Sequence, residues 1–239
     1  MLIAKEKDPI GQALLDYLQT EEDSPIIVKM DISEDDELSP SYFFRSYQQC
    51  PELEQTALQL ARGKVLDVGA GAGSHALYLL EQGFDVTAID VSPNSVKVMK
   101  QRGLKNASLI NFYDLKEGQY DTLMLLMNGI GLVQTLSGFD AFFSHAKKLL
   151  KAKGQIILDS SDLIYMFEQE DGSYLIDLNE SYHGEVEFCL SYKDIQGEPF
   201  KWLYVAEELL EDAANKNGFE YELIKQGPHY DYLAKLTLR

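Results

Sequence analysis

The stretch KVLDVGAGAGSHALYLL, residues 64–80, places three glycines at alternate positions directly after a short apolar run. The run is typical of a buried β-strand, and the segment after the glycines is typical of a helix. A glycine-rich turn between a strand and a helix directs backbone N–H groups and the positive end of the helix toward a ligand. We therefore predict that Gly69, Gly71 and Gly73 form a ligand-binding turn in an α/β protein.

The region from Lys64 to Asp159 repeats this alternation of short apolar runs and helical patterns. Runs that are apolar along their whole length indicate strands covered on both faces, as in a parallel sheet. The predicted strands are KVLDVG, FDVTAID, ASLINFYD, YDTLMLLMN and GQIILDSS, and the predicted helices are residues 74–82, 93–102 and 138–151.

The flanking segments complete the predicted organisation. Residues 1–63 are interpreted as an N-terminal helical appendage that contains a helix at 9–20, a short strand PIIVKM, the acidic connector DISEDDEL and two further helical segments. Residues 64–239 are interpreted as the ligand-binding domain. This domain carries a β-hairpin insertion at about 184–205, then a helix at 206–217 and strands near 219–226 and 231–238.

Composition excludes several kinds of partner. The 239 residues contain 21 Lys and Arg against 39 Asp and Glu, for a net charge of −18, which repels nucleic acids and anionic membranes. No apolar run is long enough to span a bilayer, and the first residues carry charges where a signal peptide is apolar, so we expect a cytoplasmic protein. The two cysteines form no metal-binding motif, so we expect no metal site.

The acids near the glycine turn distinguish between ligand classes. A dinucleotide-binding turn requires a third glycine where this sequence has Ser74, and Asp67 would repel a pyrophosphate. A carboxylate at this position suits S-adenosylmethionine (SAM), which carries an ammonium and a sulfonium. Asp90, 17 residues after Gly73, is placed to accept hydrogen bonds from ribose hydroxyls. Asp114, at the end of the predicted third strand, is placed to accept one from the adenine amine.

With these residues the sequence resembles the class I (Rossmann-like) SAM-dependent methyltransferases. The resemblance implies a three-layer sandwich around a mostly parallel seven-stranded sheet whose last strand is antiparallel. Many relatives carry D/N-P-P-Y/F, a signature of amino-group methylation, where this chain has Asn128-Gly129-Ile130-Gly131, so the acceptor stays open. The SAM-binding residues that it implies are Asp67, Gly69, Ala70, Gly71, Gly73, Asp90, Val91, Asp114, Leu115, Asn128 and Gly129.

We therefore expect a SAM-dependent methyltransferase that acts on a small molecule, with a protein side chain as the second choice of acceptor. The sequence assigns no catalytic residue; the candidates are Asn128, Asp159, Tyr42 and Arg45. Two alternatives stay open, a SAM-binding regulatory or assembly protein without catalytic activity and an NAD(P)-dependent oxidoreductase. We expect no nucleic-acid or membrane partner, and both a monomer and a homodimer stay open.

Overall fold

The computed structural model describes residues 1–116, 118–176 and 181–239, which form twelve strands and six α-helices. In chain order the strands are β1 (Ile26–Met30), β2 (Asp36–Leu38), β3 (Lys64–Val68), β4 (Asp85–Asp90), β5 (Ala107–Leu109), β6 (Tyr120–Leu125), β7 (Leu150–Ser161), β8 (Glu185–Tyr192), β9 (Ile195–Gln196), β10 (Phe200–Leu203), β11 (Phe219–Gln226) and β12 (Asp231–Leu238). The helices are α1 (Pro9–Thr20), α2 (Glu52–Gln59), α3 (Ser74–Glu81), α4 (Pro93–Gln101), α5 (Phe139–Leu149) and α6 (Glu207–Lys216).

The larger sheet has seven strands in the order β11-β12-β7-β6-β3-β4-β5. Strand β12 is antiparallel to both of its neighbours, β7 and β11, and the other pairs are parallel, which confirms the predicted sheet. From β3 the chain builds outward through β4 and β5, and then it returns to place β6 on the other side of β3. Open α/β sheets bind ligands outside the carboxyl ends of the strands at such a reversal.

Helices cover both faces of this sheet, as predicted for a three-layer sandwich. Alternate residues of each strand enter different clusters of buried side chains: Leu66 belongs to the cluster packed by α5 and α6, whereas Val65 belongs to the cluster packed by α2, α3 and α4. The same alternation separates Leu123 from Met124 on β6. Because side chains of a strand alternate between faces, Asp67 of β3 lies on the face that carries α2, α3 and α4.

The smaller sheet has five strands and corrects the description of residues 1–63 as a helical appendage. The strand predicted for PIIVKM is confirmed as β1, which pairs antiparallel with β2 and with β8 of the predicted hairpin. The acidic run DISEDDEL, expected as a solvated connector, therefore forms the turn (31–35) and the second strand, β2, of a β-hairpin. The segment SPSYFFRSYQQC forms two 3-10 turns, 40–44 and 47–49, instead of a helix. The boundary at residue 63 stays a prediction.

None of the helices in the described parts of the chain is long and apolar enough to cross a membrane. Both cysteines, Cys50 and Cys189, are free thiols.

Helix α1 is attached to α4 through the buried carboxylate of Asp8. This carboxylate accepts a hydrogen bond from the N–H of Gly11 at 2.9 Å, which caps α1, and one from the hydroxyl of Ser92 at 2.7 Å. Ser92 itself caps α4 by accepting a hydrogen bond from the N–H of Ser95 at 2.9 Å. The contact requires glycine at position 11, because a Cβ there would lie 2.2 Å from the Ser92 hydroxyl. One carboxylate thus fixes the N-terminal helix beside the ligand-binding edge.

We expect Asp8→Ala to lower the free energy of unfolding by about 1–3 kcal/mol, because it leaves buried donors of both helix ends without an acceptor. Urea unfolding measures the loss. The matched control is Asp23→Ala, which removes a carboxylate with three hydrogen bonds to Ser39 and Ser41 at an exposed site and should cost less than about 1 kcal/mol. Equal losses in the two variants would contradict the role assigned to Asp8.

Candidate functional site

The glycine turn after β3 adopts the left-handed backbone conformation that glycine favours. The φ angles of Gly69, Gly71 and Gly73 are 71°, 56° and 81°. A Cβ on Gly69 would meet no atom within 4 Å, so this residue borders open space, whereas a Cβ on Gly73 would lie 2.9 Å from Met99 of α4. Gly69 is therefore placed for close approach of a ligand, and Gly73 allows the turn to pack against α4.

Asp90 ends β4 beside this turn and holds it in shape. Its two carboxylate oxygens accept hydrogen bonds from the N–H groups of Gly71 at 2.9 Å and Ser92 at 2.8 Å. Burial raises the pKa of Asp90 to about 6, with a further contribution from Asp8, while the two N–H groups oppose the shift. Each oxygen of a carboxylate has two lone pairs, so Asp90 can still accept hydrogen bonds from two hydroxyl groups.

Asp67 is almost completely buried, with a relative exposure of 2%. Its Oδ2 atom has no hydrogen-bond partner among the described residues. Burial raises the pKa of Asp67 to about 6, although the charge of His75 and the N–H of Ala76 oppose the shift. A buried carboxylate oxygen without a partner is costly, so this atom fits a ligand that brings a positive charge to the turn.

A network of buried charges lies directly behind Asp67. Nε2 of His75 lies 2.7 Å from one carboxylate oxygen of Glu54, and Nη2 of Arg45 lies 2.9 Å and 3.1 Å from the two oxygens. Burial alone would lower the pKa of His75, but its hydrogen bonds to Cys50 and Glu54 and the negative charges of Asp67 and Glu54 raise it to about 10. Burial likewise opposes ionisation of Glu54, yet His75 and Arg45 lower its pKa. The network therefore places the negative charge of Glu54 between the positive charges of Arg45 and His75.

Cys50 completes a group that the sequence did not reveal. One ligand atom each of Cys50, Glu54 and His75 lies within 4.8 Å of the others, a spacing that suits a metal ion. Two cations, Arg45 and His75, already compensate Glu54, so the group functions as a network of hydrogen bonds and charges. The sequence did contain one signal for Glu54. In α2 this acidic residue lies on the same helix face as Leu53 and Ala57, and all three are buried.

Residues 42–45 cover the glycine turn. Phe43 lies 3.5 Å from the position of a Cβ on Gly71, and its carbonyl accepts a hydrogen bond from Ser74 at 2.6 Å. The guanidinium of Arg45 stacks 3.5 Å from the ring centroid of Tyr42. Both candidates, Tyr42 and Arg45, are therefore brought to the site, but one guanidinium nitrogen of Arg45 is engaged by the Glu54 network.

Asn128 follows β6 in the left-handed conformation, with φ of 55°, and almost every polar group that it has is engaged. Its side-chain oxygen accepts a hydrogen bond from Ser160 at 2.9 Å, its side-chain nitrogen donates to the carbonyl of Leu203 at 3.3 Å, and its carbonyl accepts one from Trp202 at 3.1 Å. Its backbone N–H points at Asp159, 3.2 Å from each oxygen. The geometry favours Asn128 as a positioning residue over a catalytic one.

The rest of this turn depends on small residues. A Cβ on Gly131 would lie 2.0 Å from the indole of Trp202, so only glycine allows the ring to pack there. Gly129 lies at the start of the same turn, where a Cβ would meet Leu125 at 3.1 Å. Trp202 is thus a packing residue of β10 that attaches the small sheet to the large one.

Asp159 lies near the end of β7, and no cationic side chain among the described residues forms an ion pair with its carboxylate. Like Ile157, it lies on the face of the sheet that carries α2, α3 and α4. Burial raises the pKa of Asp159 to about 7, and the like charge of Glu54 adds to the shift, while the N–H of Asn128 and the charge of His75 oppose it. A carboxyl group with this pKa can exchange a proton near neutral pH.

Asp114 does not end a strand, which corrects the prediction for the third strand. Strand β5 ends at Leu109, and Asp114 is exposed in a 3-10 turn, Phe112–Asp114. The turn forms because Phe112 is buried against α5 and the imidazole of His145 hydrogen bonds to its carbonyl at 2.8 Å. Leu115, the other residue expected at the adenine, follows this turn and is half-buried. The adenine contacts of both residues stay predictions.

The fold thus gathers most of the predicted residues at the carboxyl edge of the sheet. One face of the sheet carries Asp67, Asp90 and Asp159. The glycine turn follows β3 and Asn128 follows β6, and the strand order reverses between these two strands. Ala70 lies in the glycine turn, and its N–H donates to the carbonyl of Ile89 at 3.1 Å. Val91 follows β4, and its carbonyl accepts a hydrogen bond from the N–H of Ile3 at 3.0 Å. Sequence reasoning missed Glu54 and His75.

Comparison with known proteins points to one family. Residues 65–154 match the family described as Methyltransferase domain. The chain is similar to a crystal structure of a SAM-dependent methyltransferase from Bacteroides fragilis in complex with S-adenosyl-L-homocysteine. The two are 46% identical with a TM-score of 0.94, over 100% of this chain and 98% of that one.

Two curated relatives are more distant. An uncharacterized methyltransferase from Staphylococcus carnosus is 26% identical over 74% of this chain and 79% of its own length. A 23S rRNA (uracil(747)-C(5))-methyltransferase from Pyrococcus abyssi is 35% identical over 37% of this chain. The matched segment spans only 23% of the Pyrococcus enzyme, so the likeness covers a shared domain and not the whole enzyme.

The raised pKa values of the site predict that stability falls as pH rises from 5 to 9. A carboxyl whose pKa is raised by folding contributes stability below its unfolded pKa and loses it as pH rises through the folded value. This applies to Asp67 and Asp90, both raised to about 6, and to Asp159, raised to about 7. His75, raised to about 10, contributes stability below pH 6.5 that is lost as pH rises through 10.

The midpoint of thermal unfolding should therefore fall by at least about 3 °C between pH 5 and pH 9, the shift that about 1 kcal/mol produces in a chain of this size. In Asp67→Asn the decrease between pH 5 and pH 7 should be smaller. Asp85→Asn, which removes an exposed charge at the other end of β4, should keep the wild-type profile. A midpoint that rises with pH over this range would contradict the prediction.

Proposed function

Because the chain belongs to the SAM-dependent methyltransferases, we propose that it transfers the methyl group of SAM to a small-molecule acceptor bound beside Asp159. When bound, SAM supplies a methyl group activated on a sulfonium. The protein's main contribution to such a displacement is to align the acceptor atom with the methyl carbon. The observation that carries the choice of a small acceptor is a cavity beside the carboxyl end of β7.

This cavity has a volume of about 420 Å³ and lies between the β1–β2 turn and the end of β7. Ser161, Tyr165 and Tyr204 are among its lining residues. Volumes of 300–1,000 Å³ are typical of pockets for small molecules. The acidic turn residues Glu34, Asp35 and Asp36 border the cavity, so they would repel a phosphate backbone, as does the net charge of −18. These features support a small acceptor over the rRNA named for the Pyrococcus relative.

The residues of the edge fit the parts of SAM. The unpartnered Oδ2 of Asp67 fits the ammonium of the methionine end, and the open space beside Gly69 admits the cofactor close to the backbone. Asp90 retains lone pairs for the ribose hydroxyls. Ala70, Gly71 and Val91 would line the same path. We extend the proposal to Asp114 and Leu115, which the family resemblance assigns to the adenine, and to Asn128 and Gly129, which it assigns to the methionine end.

The same observations disfavour a dinucleotide. The third glycine of the dinucleotide fingerprint is replaced by Ser74, whose hydroxyl donates to the carbonyl of Phe43 at 2.6 Å. A pyrophosphate on this turn would face Asp67 and Asp90 without a compensating cation in direct contact with either carboxylate among the described residues.

Isothermal titration calorimetry with SAM, S-adenosyl-L-homocysteine and NAD tests the cofactor, and transfer of a labelled methyl group from SAM to a library of small molecules tests the reaction. We expect SAM and its product to bind at sub-millimolar concentration, NAD not to bind, and at least one library member to be methylated. Binding of SAM without transfer to any member would overturn the proposed function in favour of a SAM-binding regulatory protein.

Asp90→Ala should weaken SAM about 10- to 100-fold, because it removes the hydrogen bonds from a charged group to the ribose. The matched control is Asp85→Ala at the opposite end of the same strand, which should leave SAM affinity within about twofold. Calorimetric titration of both variants measures the difference, and urea unfolding checks that each is folded. Unchanged affinity in a folded Asp90→Ala would contradict the ribose assignment.

A further inference from the structure

We propose that Asp159 is the general base of the reaction and that the acceptor atom is the hydroxyl oxygen of a ring-containing small molecule bound in the 420 Å³ cavity. The inference rests on the proposed function and deepens it by naming a catalytic residue and a substrate class. The cofactor-binding residues identify neither the catalytic residue nor the substrate class, because they bind the same cofactor whatever the acceptor is.

The geometry of β7 connects Asp159 to the cavity. Residues two apart on a strand point to the same face of the sheet, so Asp159 and Ser161 lie side by side. Ser161 lines the cavity, and Asp159 is the next side chain on that face toward the glycine turn. Tyr204 also lines the cavity, and its phenol lies close enough to Asp159 for that carboxylate to raise the pKa of Tyr204. Asp159 is therefore adjacent to the cavity lining without being part of it, and it lies on the sheet face that also carries Asp67 and Asp90.

Asp159 differs from Glu54, the other acid of the site that faces it, in its partners. Glu54 is paired with Arg45 and His75, whereas Asp159 forms no ion pair within the described part of the chain. Within the described residues, the N–H of Asn128 lies 3.2 Å from both of its oxygens, which is a long hydrogen bond. A half-buried carboxylate with so little compensation has no evident structural role and is available to accept a proton.

The environment of Asp159 sets its proton affinity near neutral pH. The groups that face it are Glu54 from α2, His75 from α3, Tyr42 from the covering segment and Tyr204 after β10. Burial and the charge of Glu54 together raise the pKa of Asp159 to about 7. A base with this pKa is ionised in about half of the molecules at pH 7 and still holds a transferred proton well.

A base of this kind indicates an oxygen acceptor. A hydroxyl group is a poor nucleophile until its proton is removed, whereas a neutral amine attacks through its lone pair and loses the proton to water afterwards. In the step that we propose, the hydroxyl oxygen forms a bond to the methyl carbon and the bond from that carbon to sulfur breaks. The electron pair of the broken bond stays on sulfur, and the hydroxyl proton passes to a carboxylate oxygen of Asp159.

The cavity lining indicates the shape and charge of the acceptor. Leu163, Met166, Tyr165 and Tyr204 provide flat or apolar surface for a ring, and aromatic rings are preferred on such surfaces. The rim carries Glu34, Asp35 and Asp36, of which Asp35 is paired with Lys29 at 3.2 Å. An acceptor that bears a carboxylate or phosphate is disfavoured by this rim.

The first experiment compares acceptors that differ only in the nucleophilic atom. Methyl transfer from labelled SAM is measured for a library of ring compounds in which each hydroxyl compound is matched by its amine and its thiol, beginning with 4-ethylphenol, 4-ethylaniline and 4-ethylthiophenol. We expect transfer to hydroxyl members. Transfer to amines or thiols alone would overturn the inference and leave the proposed function standing, whereas no transfer to any member would overturn the proposed function itself.

The second experiment uses Asp159→Asn and its matched control Asp162→Asn. Both remove one negative charge near the end of β7, but the carboxylate of Asp162 is engaged by His183 at 2.9 Å and by the N–H of Ile164, which it caps at 2.9 Å. Asp159→Asn should lower kcat about 100-fold or more with KM within about threefold, and its SAM affinity should be unchanged. Asp162→Asn should keep kcat within about threefold. Equal losses in the two variants, or less than a threefold loss in Asp159→Asn, would overturn the inference.

Two pH measurements separate a base from a residue that merely supports the site. The wild-type kcat/KM should rise with pH to a plateau above about pH 7, and Asp159→Asn should lose this rise. Independently of activity, ¹³C NMR of aspartate carboxyl groups, with the Asp159 signal assigned from Asp159→Asn, should give a pKa of about 7 in the free protein. A measured pKa below about 5 would overturn the inference.

Discussion

The ion pair between Glu54 and His75 is the interaction on which the arrangement of the site depends. It joins α2 to α3 beneath the glycine turn, and Arg45 extends it to the segment that covers the turn. Buried ion pairs contribute little net stability, because the cost of removing two charges from water offsets their attraction. Their effect here is geometric: loss of one partner would leave a buried charge uncompensated, so the three elements are held in one arrangement behind Asp67.

The covering segment is in turn held by the smaller sheet and by α1. Strands β1 and β8 come from opposite ends of the chain, and their pairing places the acidic β1–β2 turn beside the end of β7. Asp8 fixes α1 to the N-terminus of α4 on the other side of the site. The carboxyl edge of the large sheet is thus flanked by α1 and the β1–β2 hairpin, which precede the first strand of that sheet, β3, in the sequence.

Three aspartates at this edge have the same chemistry and different environments. Asp67 has one buried oxygen without a partner, Asp90 is engaged by two backbone N–H groups, and Asp159 has a single long hydrogen bond. Strand alternation brings all three to one face of the sheet, and burial raises the pKa of each. The partners of each carboxylate therefore distinguish the three residues. Asp67 suits a cation, Asp90 suits hydroxyl groups, and Asp159 can accept a proton.

The antiparallel last strand of the large sheet was expected only from the resemblance to a known family. The amino-acid sequence by itself determined the parallel strands of that sheet, the glycine turn and the places of Asp67 and Asp90. These features are set by local patterns, namely strand periodicity, glycine spacing and helix caps. It misplaced Asp114, because the buried ring of Phe112 ends β5 early.

Only the tertiary structure decided that DISEDDEL borders a cavity, that Glu54 meets His75, and that Asp159 forms no ion pair with any residue that the structure describes. Each of these depends on contacts between segments distant in the sequence: β1 with β8, and α2 with α3. No local pattern records such contacts, because the free energy that selects them comes from packing and charge compensation across the whole fold.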